Sequence, residues 1–340
     1  MKILVTGGAG YIGSHTVVAL QQEGHEVVVV DDLSNSYRTV MDQIASITHK
    51  KPHFEEFDLS DRAKTEAFFY RHHNLDGVIH FAAHKAVGES VEKPLKYYRN
   101  NLVSLMNLLE GMEKTHVPFL VFSSSCTVYG EPEELPVSES APIKPATSPY
   151  GNTKQVSEEI IRDTAKNSPI KAILLRYFNP VGAHESAKIG ELPMGTPNNL
   201  VPYITQTAAG IREQLSVFGN DYHTPDGTAI RDYIHVEDLA KAHIKAIERM
   251  ANNRNKEQVE TFNVGTGNGY SVLEVIRAFE EATGQPLNYR FAPRRAGDVE
   301  KVWAETSLAQ RELQWRAEKS LDEMMASAWE WQLALKNNPL

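Results

Sequence analysis

Only one cysteine, Cys126, occurs in the 340 residues, so no intramolecular disulfide can form. A reducing compartment suits such a chain, and a cytoplasmic location is expected. Long hydrophobic runs are also missing. The longest unbroken apolar stretch near the start, Val27 to Val30, is far short of the ~20 residues that span a bilayer. Met1 and Lys2 lead straight into Ile3-Leu4-Val5, so no secretory leader and no membrane partner are expected. Nor is there a basic excess. With 35 Lys and Arg against 44 Asp and Glu, the formal charge is -9, which argues against a nucleic-acid partner. An anionic small substrate stays compatible with that charge, because a few well-placed arginines suffice to bind one. No internal repeat or low-complexity tract is visible. What is present, 41% hydrophobic and 9% aromatic residues, is the composition of a globular enzyme of about two domains.

Short apolar runs alternate with helix-period segments through the first half. Strands are predicted at Lys2–Thr6, Glu26–Val30, His53–Phe57, Gly77–Phe81 and Phe119–Ser123. Helices are predicted at Tyr11–Glu23, Tyr37–His49, Arg62–Arg71 and Pro94–Lys114. Such alternation predicts βαβ units and a parallel sheet covered on both faces. A sixth strand, Ile170–Arg176, follows the helix that carries Tyr150 and Lys154. Residues 180–230, rich in Gly, Pro, Asn and Thr, favour loops with short helices. Ser271-Val-Leu-Glu274 is a capping-box pattern that opens another helix.

Gly7, Gly10 and Gly13, in Thr6-Gly-Gly-Ala-Gly-Tyr-Ile-Gly13, follow a predicted strand and open a predicted helix. Their spacing is looser than Gly-x-Gly-x-x-Gly, but the physical need is the same. Glycine permits the tight turn and lets backbone approach a pyrophosphate, while the helix N-terminus offers N–H groups to it. The second strand ends at Asp31, eighteen positions after Gly13. An acid there can accept from the adenosine ribose hydroxyls and repel a 2′-phosphate, which favours NAD over NADP. The expected fold is therefore a Rossmann-type doubly wound parallel sheet, residues 1–179, with a smaller mixed α/β substrate-binding lobe, residues 180–340. That boundary is soft, because the chain can cross back.

Tyr150-Gly-Asn-Thr-Lys154 puts two side chains at i and i+4, on one face of a helix. A phenol titrates near ~10 and is a poor base at neutral pH. A nearby lysine ammonium, with a positive nicotinamide ring, favours the phenolate. Tyr150 could then take a proton from a substrate hydroxyl while hydride leaves the same carbon for NAD. Ser123-Ser124-Ser125 follows the fifth strand, at the edge where parallel sheets place their ligands. There Ser125 can hydrogen-bond the substrate oxygen and relay a proton.

With these motifs the chain resembles the extended short-chain dehydrogenase/reductase family over nearly its whole length. The resemblance rests on Val5–Ser14, His80–Ser90, Phe122–Ser125, Thr127–Gly130, Ser148–Lys154, Leu175–Gly182, Arg231–Asp238 and Arg294–Asp298. The Lys85-Ala-Val-Gly-Glu-Ser90 and Arg294-Arg-Ala-Gly-Asp298 segments point more narrowly, to enzymes that invert C4 of a UDP-hexose. The resemblance implies an isomerase of galactose metabolism that interconverts UDP-glucose and UDP-galactose through a transient 4-keto sugar and tightly bound NAD. It places Tyr11 and Ile12 at the pyrophosphate, the segment from Asp31 through Asn35 and Ser36 at the adenosine ribose, and Asp58 and Leu59 at the adenine. Phe81, Ala82, Ala83, Lys85 and Asn100 then line the cofactor, with Phe178 near the nicotinamide. For the UDP-sugar it places Asn179, Asn199, Leu200, Phe218, Arg231, Arg295 and Asp298. Guanidinium forks suit diphosphate oxygens on physical grounds as well. A homodimer, joined through the helices around Pro94–Lys114 and Tyr150–Asn167, is expected on the same ground.

Two departures from the family pattern stand out. Ala83-His84 stands where bacterial members often have Gly-Leu, and His84 is expected to be a packing or loop histidine. Val302, before Trp303, replaces a bulky tyrosine that walls the sugar pocket, so activity on 2-acetamido UDP-sugars is expected too. No metal site is expected. His49/His53 and His80/His84 have four-residue spacing but neither pair lies within a predicted helix, and neither has a cysteine pair or an internal Glu. Three other readings compete. A nucleotide-sugar 4,6-dehydratase would carry Thr-Asp-Glu where this chain has Ser125-Cys126-Thr127. A uronate epimerase or decarboxylase stays open, and a non-catalytic NAD-binding sensor could dispense with Tyr150 and Lys154.

Overall fold

A computed structural model describes residues 1–295 and 298–337. Ala296 and Gly297, two members of the Arg294–Asp298 segment, lie outside the described residues. The strands are β1 (Lys2–Thr6), β2 (Glu26–Asp31), β3 (His53–Glu56), β4 (Gly77–His80), β5 (Phe119–Ser125), β6 (Lys171–Tyr177), β7 (Asn179–Val181), β8 (Leu215–Phe218), β9 (Ile230–Arg231), β10 (Tyr233–His235), β11 (Val259–Val264), β12 (Tyr270–Ser271), β13 (Tyr289–Ala292) and β14 (Lys301–Val302). The helices are α1 (Tyr11–Gln22), α2 (Val40–Thr48), α3 (Arg62–Arg71), α4 (Val87–Glu92), α5 (Pro94–Thr115), α6 (Pro149–Lys166), α7 (Leu200–Ala208), α8 (Val236–Ala251), α9 (Val272–Thr283) and α10 (Leu321–Asn337).

Among the described residues, seven parallel strands form the main sheet in the order β11-β6-β5-β4-β1-β2-β3. Strands covered on both faces have no polar side to show, which is why Val27–Val30 and Ala172–Leu175 are unbroken apolar runs. Alternate residues feed two cores. Ile3, Val5 and Val29 pack with Leu239 and Ile247 of α8, whereas Leu4, Val28 and Val30 pack with Phe68 of α3 and Leu105 and Leu108 of α5. This is the doubly wound architecture expected.

Boundaries differ in instructive places. The fifth strand runs through the serines to Ser125, because β6 still pairs it there, Ser125 against Tyr177, after β4 has ended opposite Phe122. Helix α2 starts at Val40 instead of Tyr37, since a turn closed by Val40 N donating to Tyr37 O precedes it. A short helix, α4, stands where none was predicted. The chain also crosses back: α8 lies in the core beside α1, and β11 adds a strand to the sheet's edge beside β6.

The smaller lobe gathers α7, α9 and α10 around Val201, Ile204, Phe279, Met325 and Trp329. The β8–β13 pair and the β12-β9-β14 sheet belong with it. Helix α9 carries the expected capping box: Ser271 accepts from the Glu274 backbone, and the Glu274 carboxylate accepts in return. No described helix is long and apolar enough to cross a membrane.

Candidate active site

The glycine turn joins β1 to α1. Gly7 adopts φ 68° and its N–H donates to Val30 O at 2.8 Å. A Cβ at Gly7 would stand 2.8 Å from Ala82 N, and one at Gly13 would strike Gly7 O, so side chains are excluded at both. Gly10 caps α1 without any side-chain acceptor, leaving the first-turn N–H groups for an anion. Asp31 ends β2, 8% exposed. Its carboxylate accepts from Ala9 N at 3.0 Å, Leu33 N at 2.9 Å and Ser36 Oγ at 3.0 Å, while burial pushes its pKa up. Asn35 and Asp58 are exposed, and Leu59 is buried under α5, its carbonyl accepting from Asn107 at 2.8 Å. Phe81, Ala82 and Ala83 follow β4 past the turn, half-buried, with Asn100 half-buried on α5. A cradle closed to every side chain, an uncapped helix end and a strand-end acid fit a dinucleotide.

Helix α6 begins at Pro149 because Ser148 caps it, accepting from Gly151 N at 3.1 Å, with proline at the first position. Tyr150 and Lys154 face β5. Lys154 is 5% exposed, donates to Ser123 O at 2.6 Å, and sits 4.9 Å from the Phe122 ring centroid and 5.8 Å from that of Tyr150. Burial lowers its pKa to about 8, against the opposing pull of the Glu158 carboxylate. Burial raises the Tyr150 phenol well above its ordinary value, with Tyr177 adding to the rise and Ser125 opposing it. The expected lowering by Lys154 is therefore not what the protein groups alone produce. The ammonium is turned to a backbone carbonyl, and desolvation dominates.

Ser125 also accepts from Thr127 N at 3.2 Å, which shapes the short turn Cys126–Tyr129. That turn leads to the residues expected at the sugar. Val302 on β14 pairs with Arg231 on β9, is 6% exposed, and packs in one cluster with Val128, Tyr129, Phe178 and the partly buried Cys126. Burial raises the Cys126 thiol to about 11, with Arg231 opposing. Arg231 donates to Ile230 O at 2.9 Å. Its strand is fixed by Asp232, fully buried, which accepts from Thr266 N at 2.8 Å, Gly267 N at 3.0 Å and Ala304 N at 3.1 Å. Asn179 donates through its N–H to Asp232 O at 3.0 Å, and Asn199 and Leu200 open α7. Arg295 lies 5.5 Å from the Phe218 ring centroid and pairs with Asp298 at 3.2 Å.

Several residues here escape sequence reading. Glu191 accepts from Asn199 Nδ2 at 2.6 Å and pairs with Lys85 at 3.4 Å, tying together two residues expected at the cofactor and at the sugar. Asn101 accepts from His84 N at 2.9 Å and donates to Thr153 Oγ1 at 3.1 Å, so it holds the loop after β4 against α6. His84 is a loop residue whose ring lies 5.5 Å from that of Tyr97. Neither tie follows any local spacing. Among the described residues one group has metal-ligand composition: His53, Glu55 and His72, their ligand atoms within 4.8 Å. It sits on the outer strand β3, with β4, β1 and β2 between it and β5, and Arg71 holds the other Glu55 oxygen.

A model of the NAD dependent epimerase/dehydratase family matches residues 3–265. The UDP-glucose 4-epimerase of Bacillus subtilis is 54% identical over 98% of this chain and 97% of its own. The Stenotrophomonas maltophila UDP-glucose-4-epimerase, solved with bound NAD and formylated UDP-arabinopyranose, superimposes with a TM-score of 0.95 at 49% identity, covering 99% of each chain. The Bifidobacterium longum enzyme, in complex with NAD+ and UDP, gives 0.94 at 48% identity over 100% of this chain and 99% of its own. Matched in sequence over nearly its full length and in fold throughout, the chain belongs to the NAD dependent epimerase/dehydratase family.

Proposed function

We propose that this chain is a UDP-glucose 4-epimerase, an isomerase that interconverts UDP-glucose and UDP-galactose with tightly held NAD. The observation that carries the chemistry is the meeting of Tyr150, Lys154 and the Ser123–Ser125 segment beside the wall made by Val302, Phe178 and Cys126. Gly7, Gly10, Gly13 and the α1 N-terminus would hold the pyrophosphate of NAD, with Asp31 at the adenosine ribose. When bound, NAD supplies the hydride acceptor and donor through which the C4 alcohol passes to a 4-keto sugar and back.

The protein's own groups manage the proton. Tyr150 accepts it from the sugar 4′-hydroxyl, Ser125 hydrogen-bonds the same oxygen, and the buried Lys154 charge favours the phenolate. Arg231 and Arg295 suit the two phosphates, and Asp298 a ribose hydroxyl. A firm hold on the nucleotide with few polar ties to the hexose lets the keto sugar turn over before reduction. Val302, smaller than an aromatic wall, leaves room for a 2-acetamido group, so UDP-N-acetylglucosamine and its galacto epimer are included as substrates. A homodimer through α5 and α6 is part of the same reading, supported by the exposed Leu95 and Met106. A cytoplasmic location, supported by the single cysteine, is read by cell fractionation.

Purified protein given UDP-galactose and no added NAD is expected to form UDP-glucose. Tyr150→Phe should lose at least about a hundredfold in kcat. Turnover that appears only on adding NAD would overturn the tight-cofactor claim, and an unimpaired Tyr150→Phe would overturn the assigned base.

A further inference from the structure

One turn beyond Lys154, α6 carries Glu158 on the same face, so Tyr150, Lys154 and Glu158 recur at four-residue steps. Glu158 is 5% exposed and both of its carboxylate oxygens are paired. Its Oε1 accepts from Ser124 Oγ at 2.6 Å and Arg176 Nε at 2.9 Å, and its Oε2 accepts from Arg176 Nη2 at 2.6 Å. Arg162 stands 3.9 Å from Oε2 on the exposed side. Arg176, on β6 and 4% exposed, is further fixed 4.8 Å from the Tyr129 ring centroid, whose hydroxyl donates to Asn263 Oδ1 at 2.7 Å. Ser124 is the middle serine. On one side Ser123 O accepts from Lys154, and on the other Ser125 carries the substrate-facing hydroxyl.

We propose that Glu158 is a positioning residue for epimerisation: it pins Ser124, and with it Ser123 O and Ser125, and supplies the buried negative charge that keeps Lys154 an ammonium beside Tyr150. The inference rests on Tyr150 and Lys154 acting as proposed above. A buried bidentate arginine–carboxylate pair is costly to desolvate and is weak evidence for stability as such. Two buried cations and one carboxylate leave a net positive charge of one, the balance that a developing phenolate needs. Other groups face Lys154 too. His80 on β4 is held near 3 by burial and by the Lys154 charge, hence neutral; Arg176 on β6 is paired with Glu158, and the Tyr150 ring of α6 itself lies 5.8 Å from the ammonium. Glu158 is the carboxylate that acts on Lys154 among them.

The test is the pH profile of kcat, with KM for UDP-galactose, in wild type, Glu158→Gln and Ser124→Ala. Removing the carboxylate charge is expected to move the alkaline limb down by about one pH unit, since a neighbouring opposite charge shifts a buried group by at least that. At pH 8, near the value to which burial lowers Lys154, kcat should fall about fivefold with KM little changed. Ser124→Ala keeps the charge and releases only the clamp. It should lower kcat without moving the limbs. Should Glu158→Gln not fold, Glu158→Gln/Arg176→Gln removes one charge of each sign and keeps the net charge of one, so its alkaline limb is expected to stay in place, and a limb displaced by a pH unit overturns the charge role. Should that fail as well, the decision falls to Ser124→Ala, whose wild-type kcat would overturn the clamp. An unmoved limb in a folded glutamine variant overturns the charge role. Loss of the wild-type profile itself, or an active Tyr150→Phe, would instead sink the underlying reading of the site.

Discussion

At the scale of single residues, Val302 is the position proposed to set which UDP-sugars are admitted. It lies at the end of a ladder pair with Arg231, closed in by Phe178 and Cys126. Val302→Tyr is expected to cut kcat/KM for UDP-N-acetylglucosamine at least about tenfold relative to UDP-galactose, the usual reach of steric discrimination in a pocket. Steady-state rates on both sugars check it, and an unchanged ratio would remove Val302 from the specificity wall. Tyr150 carries a second lesson at this scale. The lysine four residues away is visible in the sequence, but the balance between its charge and the desolvation of the phenol depends on what surrounds both.

At the scale of elements, α5 shows a face that the fold does not cover. Leu95 is 74% exposed and Met106 42%, eleven residues or about three turns apart and so on one side of the helix. Val91 of the neighbouring α4 is 61% exposed as well. Tyr98 donates to Asn152 Oδ1 at 3.1 Å, so α5 and α6 present this face as one body. Its occupant is taken to be a second copy of the chain. Light scattering on the purified protein is expected to give a dimer, and Leu95→Glu a monomer with unchanged circular dichroism, because a carboxylate would be desolvated between apolar faces. A monomeric wild type would end the proposal.

At the scale of the whole molecule, buried histidines set the acid limit of stability. His15 and His80 are held down to about 3, and His235 and His243 to about 4, all chiefly by burial. Unfolded, each titrates at its ordinary value of 6.5. The folded state therefore binds fewer protons than the unfolded chain between those values. The stability from burying them neutral is fully present above pH 6.5 and drains as pH falls toward 4. The urea midpoint is expected to drop steeply over that window, and a midpoint constant from about pH 7 to about pH 4.5 would contradict it.

Much of this was written in local pattern. The β-α alternation, the glycine turn with Asp31, the Tyr150–Lys154 spacing and the capping box at Ser271 are each set by neighbours within a turn or a strand. The length of β5 was not, since β6 supplies the pairing that carries it to Ser125. Nor was the return of α8 and β11 to the first sheet, because their apolar faces say that they must be covered but not by what. Glu191 with Lys85, Asp232 with Thr266 and Ala304, and Glu158 with Ser124 and Arg176 join residues far apart along the chain. Short-range sequence thus determined which chemistry this protein carries. Tertiary packing alone decided the charge and placement of the groups that perform it, because burial and partners depend on what the fold brings together.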